Sequence, residues 1–128
     1  MKDLEGKNVS LSSYRGKTVV LIFWESSCPP CRWESSQLVS IYQNLEKNKV
    51  VFIGVNLDTK KENALKAIKI DKTPWINISD FQGWTNEAVL FYGVTELPSH
   101  VIINDQGKIV GFPSTVWDFK SQLESHLN

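Results

Sequence analysis

The apolar positions of this chain fall into runs of two kinds. Thr18-Val19-Val20-Leu21-Ile22-Phe23-Trp24 and Val50 to Leu57 are near-continuous and rich in β-branched and aromatic residues, the pattern of buried strands. Between them Leu38, Ile41, Tyr42 and Leu45 fall at i, i+3, i+4 and i+7, which predicts a helix from Pro30 to about Asn48. Strand, helix and strand with short joins imply a parallel βαβ unit with a right-handed crossover. A second helix is predicted over Lys60 to Ile70, with Leu65, Ala67 and Ile68 facing inward. A shorter one over Glu87 to Tyr92 ends at Gly93. His100 to Asn104 and Lys108 to Phe112 flank Asp105-Gln106-Gly107, a hairpin signal. The last helix begins at Thr115, with Asp118 as its capping partner, and carries Val116, Phe119, Leu123 and Leu127 as a buried stripe. The order of these elements predicts an α/β layered domain.

The chain has 128 residues, which predicts one domain over 1–128 with a sizeable core. Hydrophobic residues make up 41% and charged residues 22%, ordinary for a soluble globular protein. Lys+Arg and Asp+Glu number 14 each, so there is no basic excess of the kind a nucleic-acid binder uses. The longest apolar run, Val19 to Trp24, is far too short to span a bilayer. Met1-Lys2-Asp3-Leu4-Glu5 leads into no apolar stretch, so no secretory signal is read. Such a start suits a cytosolic chain and equally a mature or excised domain.

Both cysteines lie in Cys28-Pro29-Pro30-Cys31, directly after the first strand and at the start of the first helix. Two cysteines exclude a multi-disulfide scaffold. At a helix N-terminus the backbone N–H groups and the dipole favour a thiolate at Cys28. Pro29 suits the first helical position, which needs no N–H donor. The paired prolines stiffen the loop and remove two donors to the Cys28 sulfur, while the Cys31 N–H remains. Cys28 is then the attacking thiol and Cys31, one turn deeper, the resolving one. Two other interpretations compete. Half a zinc site would need two more ligands, and only His100 and His126 are present, so no metal or other cofactor is expected. A chance pair of buried thiols is the other. Glu34 lies three residues after Cys31 and four before Leu38, on the stripe that enters the core. A carboxylate there is either a proton handler or a side chain that reaches back to solvent.

Phe23-Trp24-Glu25-Ser26-Ser27-Cys28-Pro29-Pro30-Cys31-Arg32-Trp33-Glu34 resembles the active-site stretch of thioredoxin-like proteins, and more closely their TlpA/ResA-like thiol-disulfide oxidoreductase branch, related to AhpC/TSA proteins. Tyr14-Arg15-Gly16-Lys17, the block from Val51 to Asp58, Tyr92-Gly93-Val94, Leu97-Pro98-Ser99 and the block from Ile102 to Ile109 resemble the same branch in the same order. The resemblance runs from about Val9 to the C-terminus. It implies a thioredoxin fold: a central mixed β-sheet flanked by α-helices. An insert, Trp75 to Tyr92, would separate the βαβ half from the cis-proline hairpin half. It implies a cis peptide before Pro98, facing the cysteines, and a Leu97 backbone that pairs with a substrate segment. Glu34 would tune the thiol pair. Leu97, Pro98, Trp24 and Ser27 are the candidate substrate-binding residues.

The activity implied is thiol-disulfide exchange with protein disulfides or dithiols, in the reducing direction, with an upstream redox partner to recharge the pair. Relatives commonly reduce extracytoplasmic thiols, including those of apocytochromes, so an extracytoplasmic location is implied. A monomer is expected, with no nucleic acid and no membrane span.

Three departures stand out. Ser27 replaces the tryptophan that many relatives carry before the first cysteine. Ile22 aligns with the buried aspartate of thioredoxin, and Ser36 stands where a helix-kinking proline is usual. A thiol peroxidase would need a threonine three residues before its reactive cysteine, where this chain has Glu25. A non-catalytic binding module is opposed by the intact cysteines and Pro98 block. Of the remaining features, Trp75, Phe81 and Trp84 bracket the insert as loop anchors or a partner groove. Trp33 falls off the buried stripe and is expected to be exposed. His100, two residues past Pro98, is expected to alternate outward on its strand.

Overall fold

The computed structural model describes residues 1–127. Its strands are β1 (Thr18–Trp24), β2 (Val50–Asn56), β3 (Ile76–Ile78), β4 (Ser99–Ile103) and β5 (Ile109–Gly111). Its helices are α1 (Pro29–Gln43), α2 (Lys61–Asp71), α3 (Glu87–Tyr92) and α4 (Val116–Leu127). The strands form one sheet in the order β3-β2-β1-β4-β5. β1 runs parallel to β2, and β2 to β3, while β4 is antiparallel to both β1 and β5. This is the central mixed sheet expected, with β1 in the middle.

Both faces of the sheet are covered, which explains why β1 is apolar from Val19 to Trp24 and buried throughout. Alternate residues enter two cores. Val19, Leu21 and Phe23 join Ile53, Val55, Val101 and Ile103 on one face, under Val89 of α3. Val20 and Ile22 join Phe52 and Ile102 on the other, under Leu38 of α1 and Phe119 and Leu123 of α4. The hairpin bends at Gly107, whose φ of 83° is open to glycine. At the start of α4 the Asp118 N–H donates to Thr115 Oγ1 at 3.0 Å, the N-cap bond expected there.

Four expectations change. α1 ends at Gln43 and not near Asn48, because the Asn44 N–H bonds back to the Ile41 carbonyl and the Leu45 N–H to the Tyr42 carbonyl, which tightens the turn. Leu45 still packs on the core, but from the connection, where helical periodicity no longer applies. α2 turns Ala64 and Ala67 inward and leaves Leu65 46% exposed, since only small side chains fit between this helix and the sheet. Ile76–Ile78, inside the segment assigned to an insert, adds a strand to the edge of the sheet. Trp75 beside it is a core residue at 7% exposure, its ring 5.4 Å from Phe52 and 5.5 Å from Tyr42.

Candidate active site

β1 delivers the chain to the cysteines at the middle of the sheet. Cys28 is the N-cap of α1, with extended backbone angles (φ −99°, ψ 99°), and Pro29 and Pro30 fill the first helical positions. The Cys31 N–H donates to Cys28 Sγ at 3.2 Å, the one donor the prolines leave in place. The two cysteines are joined as a disulfide, with Cα atoms 5.3 Å apart. The pair is asymmetric. Cys31 is 2% exposed, packed with Trp24 of β1 and Ala67 of α2, whereas Cys28 is half-buried at the rim of the same cluster.

The loop between β1 and α1 is held by side chains that the sequence had not singled out for this. Asp58, just beyond β2 and buried, accepts from the Ser26 N–H at 3.1 Å, the Ser26 hydroxyl at 2.6 Å and Asn56 Nδ2 at 2.8 Å. Asn56 in turn accepts from the Asp58 N–H at 3.0 Å, and its carbonyl accepts from the Ser79 hydroxyl at 2.8 Å. Arg32, on the first turn of α1, donates to the Ser26 carbonyl at 3.1 Å and makes a two-pronged pair with Asp71 at the end of α2. That hydrogen-bonded carboxylate raises the Arg32 guanidinium pKa above its ordinary value, against the opposing effect of burial. The only advance signal for Asp58 was its place at the end of the block from Val51 to Asp58.

Trp24 lies beneath the disulfide, 6% exposed, and its indole donates to Asn77 Oδ1 at 2.8 Å. Gly54 leaves room for this bond, because a side chain there would overlap Asn77. Trp24 is therefore a core wall behind Cys31 and not a surface for direct contact. Ser27 is exposed, with its hydroxyl on Glu25. Trp33 is 58% exposed on the outer face of α1, as its position off the stripe implied.

Glu34 is 5% exposed and points into the core. There it is hydrogen-bonded to His100 of β4, which corrects the expectation that His100 faces outward. The reason is the double cover on the sheet: β4 is buried along its last four residues, so it has no solvent face for a polar residue to take. His100 Nδ1 lies 3.0 Å from the Pro113 carbonyl oxygen, its ring is 5.3 Å from that of Phe119, and its register partner on β1 is Ile22.

The peptide between Leu97 and Pro98 is cis. Leu97 packs against the cluster of Trp24, Cys31 and Ala67, so the cis-proline segment and the cysteines meet at one place. β4 begins its pairing with β1 at Ser99, so the Leu97 backbone lies outside the ladder. A cleft of about 180 Å³ between Pro98, Ser99, Phe112 and Pro113 opens beside it. Among the described residues no group of three or more His, Cys, Asp or Glu side chains is placed to hold a metal ion.

A family model described as the AhpC/TSA family matches residues 1–112. The chain belongs to the AhpC/TSA family. This AhpC/TSA member is 33% identical over 128 residues to the thiol-disulfide oxidoreductase ResA of Geobacillus thermodenitrificans, covering 98% of this chain and 72% of that protein. It is 30% identical over 112 residues to the sporulation thiol-disulfide oxidoreductase A of Bacillus subtilis, covering 85% of this chain and 66% of that one. Among solved structures, the thioredoxin domain of a thiol-disulfide oxidoreductase from Bacteroides vulgatus superposes with a TM-score of 0.89 at 28% identity, covering 99% of this chain and 91% of that one. A thiol:disulfide interchange protein from a Bacteroides species gives 0.84 at 28% identity, covering 99% and 84%. The fold is thus the thioredoxin fold, and this AhpC/TSA member is a thiol-disulfide oxidoreductase with a Cys28–Cys31 pair. Among the described residues no helix is long and apolar enough to cross a membrane.

Proposed function

We propose that the protein reduces disulfides of partner proteins, with Cys28 as the attacking thiol, Cys31 as the resolving thiol and Glu34 as their proton handler. The Cys28 thiolate attacks a partner disulfide and forms a mixed disulfide, releasing one partner sulfur as a thiolate. Cys31 then attacks Cys28, closes the intramolecular disulfide and releases the second sulfur. The carrying observation is the asymmetry of the pair: Cys28 is the half-buried N-cap with an N–H on its sulfur at 3.2 Å, and Cys31 is sealed at 2% exposure. The substrate segment pairs with the Leu97 backbone next to Pro98 and runs past Ser27, with Trp24 backing the resolving sulfur.

The reducing direction is supported by the two prolines. A thiolate stabilised by many donors makes a pair oxidising, and this N-terminus offers the Cys28 sulfur one N–H from within the motif. An upstream dithiol partner must restore the reduced pair. The protein acts as a single domain over 1–128, as a monomer and outside the cytoplasm, where the TlpA/ResA-like branch operates. Equilibration with glutathione buffers tests the direction. A potential near roughly −270 mV supports a reductant, and one near roughly −120 mV overturns it in favour of an oxidant.

A further inference from the structure

In the disulfide form the buried contact between Glu34 and His100 must contain a hydrogen. His100 Nδ1 faces the Pro113 carbonyl oxygen at 3.0 Å, and a carbonyl oxygen only accepts, so Nδ1 carries a hydrogen. Nε2 of the same ring is bonded to Glu34 Oε1. That bond needs one hydrogen, on Nε2 or on the carboxyl group, and in both cases the pair is neutral as a whole. Without it a lone pair would face a carboxylate, with both side chains out of water at 1% and 7% side-chain exposure. Around the pair, β1 contributes Ile22, α4 contributes the Phe119 ring, and α1 contributes Glu34 with Cys31 one turn earlier on the same buried face. The other buried ionisable side chain among the described residues, Asp58, has its carboxylate engaged by Ser26 and Asn56.

We infer that His100 is a positioning residue for the thiol pair: it fixes the Glu34 carboxyl group one turn from Cys31 and shares with it the proton that Cys31 gives up when the mixed disulfide is resolved. In that step the Cys31 S–H bond breaks and its proton passes to Glu34. The sulfur electron pair forms the bond to Cys28 Sγ, and the bond between Cys28 and the substrate sulfur breaks. The substrate leaves as a thiolate and takes a proton from solvent. The protein dithiol is oxidised, the substrate disulfide is reduced, and no other reactant is needed. The proton from Cys31 comes to rest in the contact between Glu34 and His100, in the disulfide form described here. On reduction it returns to Cys31, and the Nε2 lone pair then faces the buried carboxylate, the costly contact that draws the Cys31 proton back when the next mixed disulfide is resolved. The inference rests on the roles proposed above for Cys28, Cys31 and Glu34.

Two experiments test it. In His100→Gln, whose amide bonds to Glu34 or to the Pro113 carbonyl but cannot take up the proton, resolution of a preformed mixed disulfide should slow at least tenfold with a shifted pH midpoint. The first attack by Cys28, timed separately in a Cys31→Ala background, should be unchanged. Resolution at the wild-type rate with the wild-type pH midpoint overturns the inference. The second experiment needs no change at His100. With ¹⁵N-labelled histidine, and His126→Gln to remove the other imidazole signal, the His100 Nε2 resonance should differ between disulfide and dithiol forms while Nδ1 stays put. An Nε2 signal identical in both forms overturns the inference even if His100→Gln does not fold. If Cys31→Ala traps no substrate on Cys28, the underlying assignment of the thiols fails. If it traps substrate and His100→Gln is silent, the role of His100 alone fails.

Discussion

Asp58→Asn perturbs the active-site loop without touching a cysteine. The change keeps the side-chain volume, removes the charge and exchanges one oxygen for an NH2 group. Asp58 Oδ2 accepts from the Ser26 N–H at 3.1 Å and Asn56 Nδ2 at 2.8 Å, and Oδ1 accepts the Ser26 hydroxyl at 2.6 Å. In the variant the remaining oxygen is best placed at the Oδ2 position, with its two donors. The Ser26 hydroxyl then turns to accept from the new NH2. The bond count survives, but three charge-assisted bonds become neutral ones. Each such exchange costs about 1 kcal/mol, so about 3 kcal/mol in all. Ser26 is half-buried, and water near its hydroxyl relieves part of that, leaving about 2 kcal/mol. Urea unfolding should therefore show the midpoint lowered by about 1 M, for a slope of about 2 kcal/mol per M. Amide exchange at Ser26 should accelerate by about tenfold or more, since about 1.4 kcal/mol is a factor of ten. A midpoint within about 0.2 M of wild type, with Ser26 exchange unchanged, would refute the idea that Asp58 holds this loop.

Trp24→Phe removes the indole donor and leaves Asn77 Oδ1 buried without it, so stability should fall by about 1–3 kcal/mol in the same urea assay; an unchanged midpoint would count against the bond. Tyr92 is predicted to give an alkaline limit. Burial holds its phenol above the ordinary value of 10.0, with Arg15 pulling the other way. The folded protein thus binds this proton more tightly than the unfolded chain. The contribution is whole below about pH 10 and is lost as pH rises through the folded value. The melting temperature of the wild type should therefore drop relative to Tyr92→Phe above about pH 10, and a difference that stays flat with pH would contradict the sign.

How much was legible in advance depended on whether a side chain's surroundings are local. β1 and β2 were plain because a strand buried on both faces is apolar at every position, as Val19 to Trp24 shows. The start of α1 was plain because an N-cap cysteine followed by prolines is a local signal. Its end was not, since Leu45 keeps the helical spacing while packing from a turn. Leu65 misled for a related reason: periodicity ranks residues by hydropathy, whereas the space beneath α2 admits alanines. β3 is three residues long and has no room to show a pattern. In the site, Cys28, Cys31 and the core-facing position of Glu34 follow from spacing along one helix. His100 and Asp58 act across the sheet, at separations of 66 and 32 residues from Glu34 and Ser26, where no local pattern reaches. A tryptophan at position 24 reads the same whether it lines a surface or a core, and only the bond to Asn77 decides between them.

The central claim is that substrate bonds to Cys28 and is released by Cys31. Its most direct measurement is trapping with Cys31→Ala against a protein carrying one accessible disulfide, followed by mass spectrometry of the non-reduced complex. A stable one-to-one adduct linked through Cys28 is expected, dissolved by dithiothreitol and absent in Cys28→Ala. An adduct that forms through Cys31 in Cys28→Ala, with none in Cys31→Ala, would contradict it.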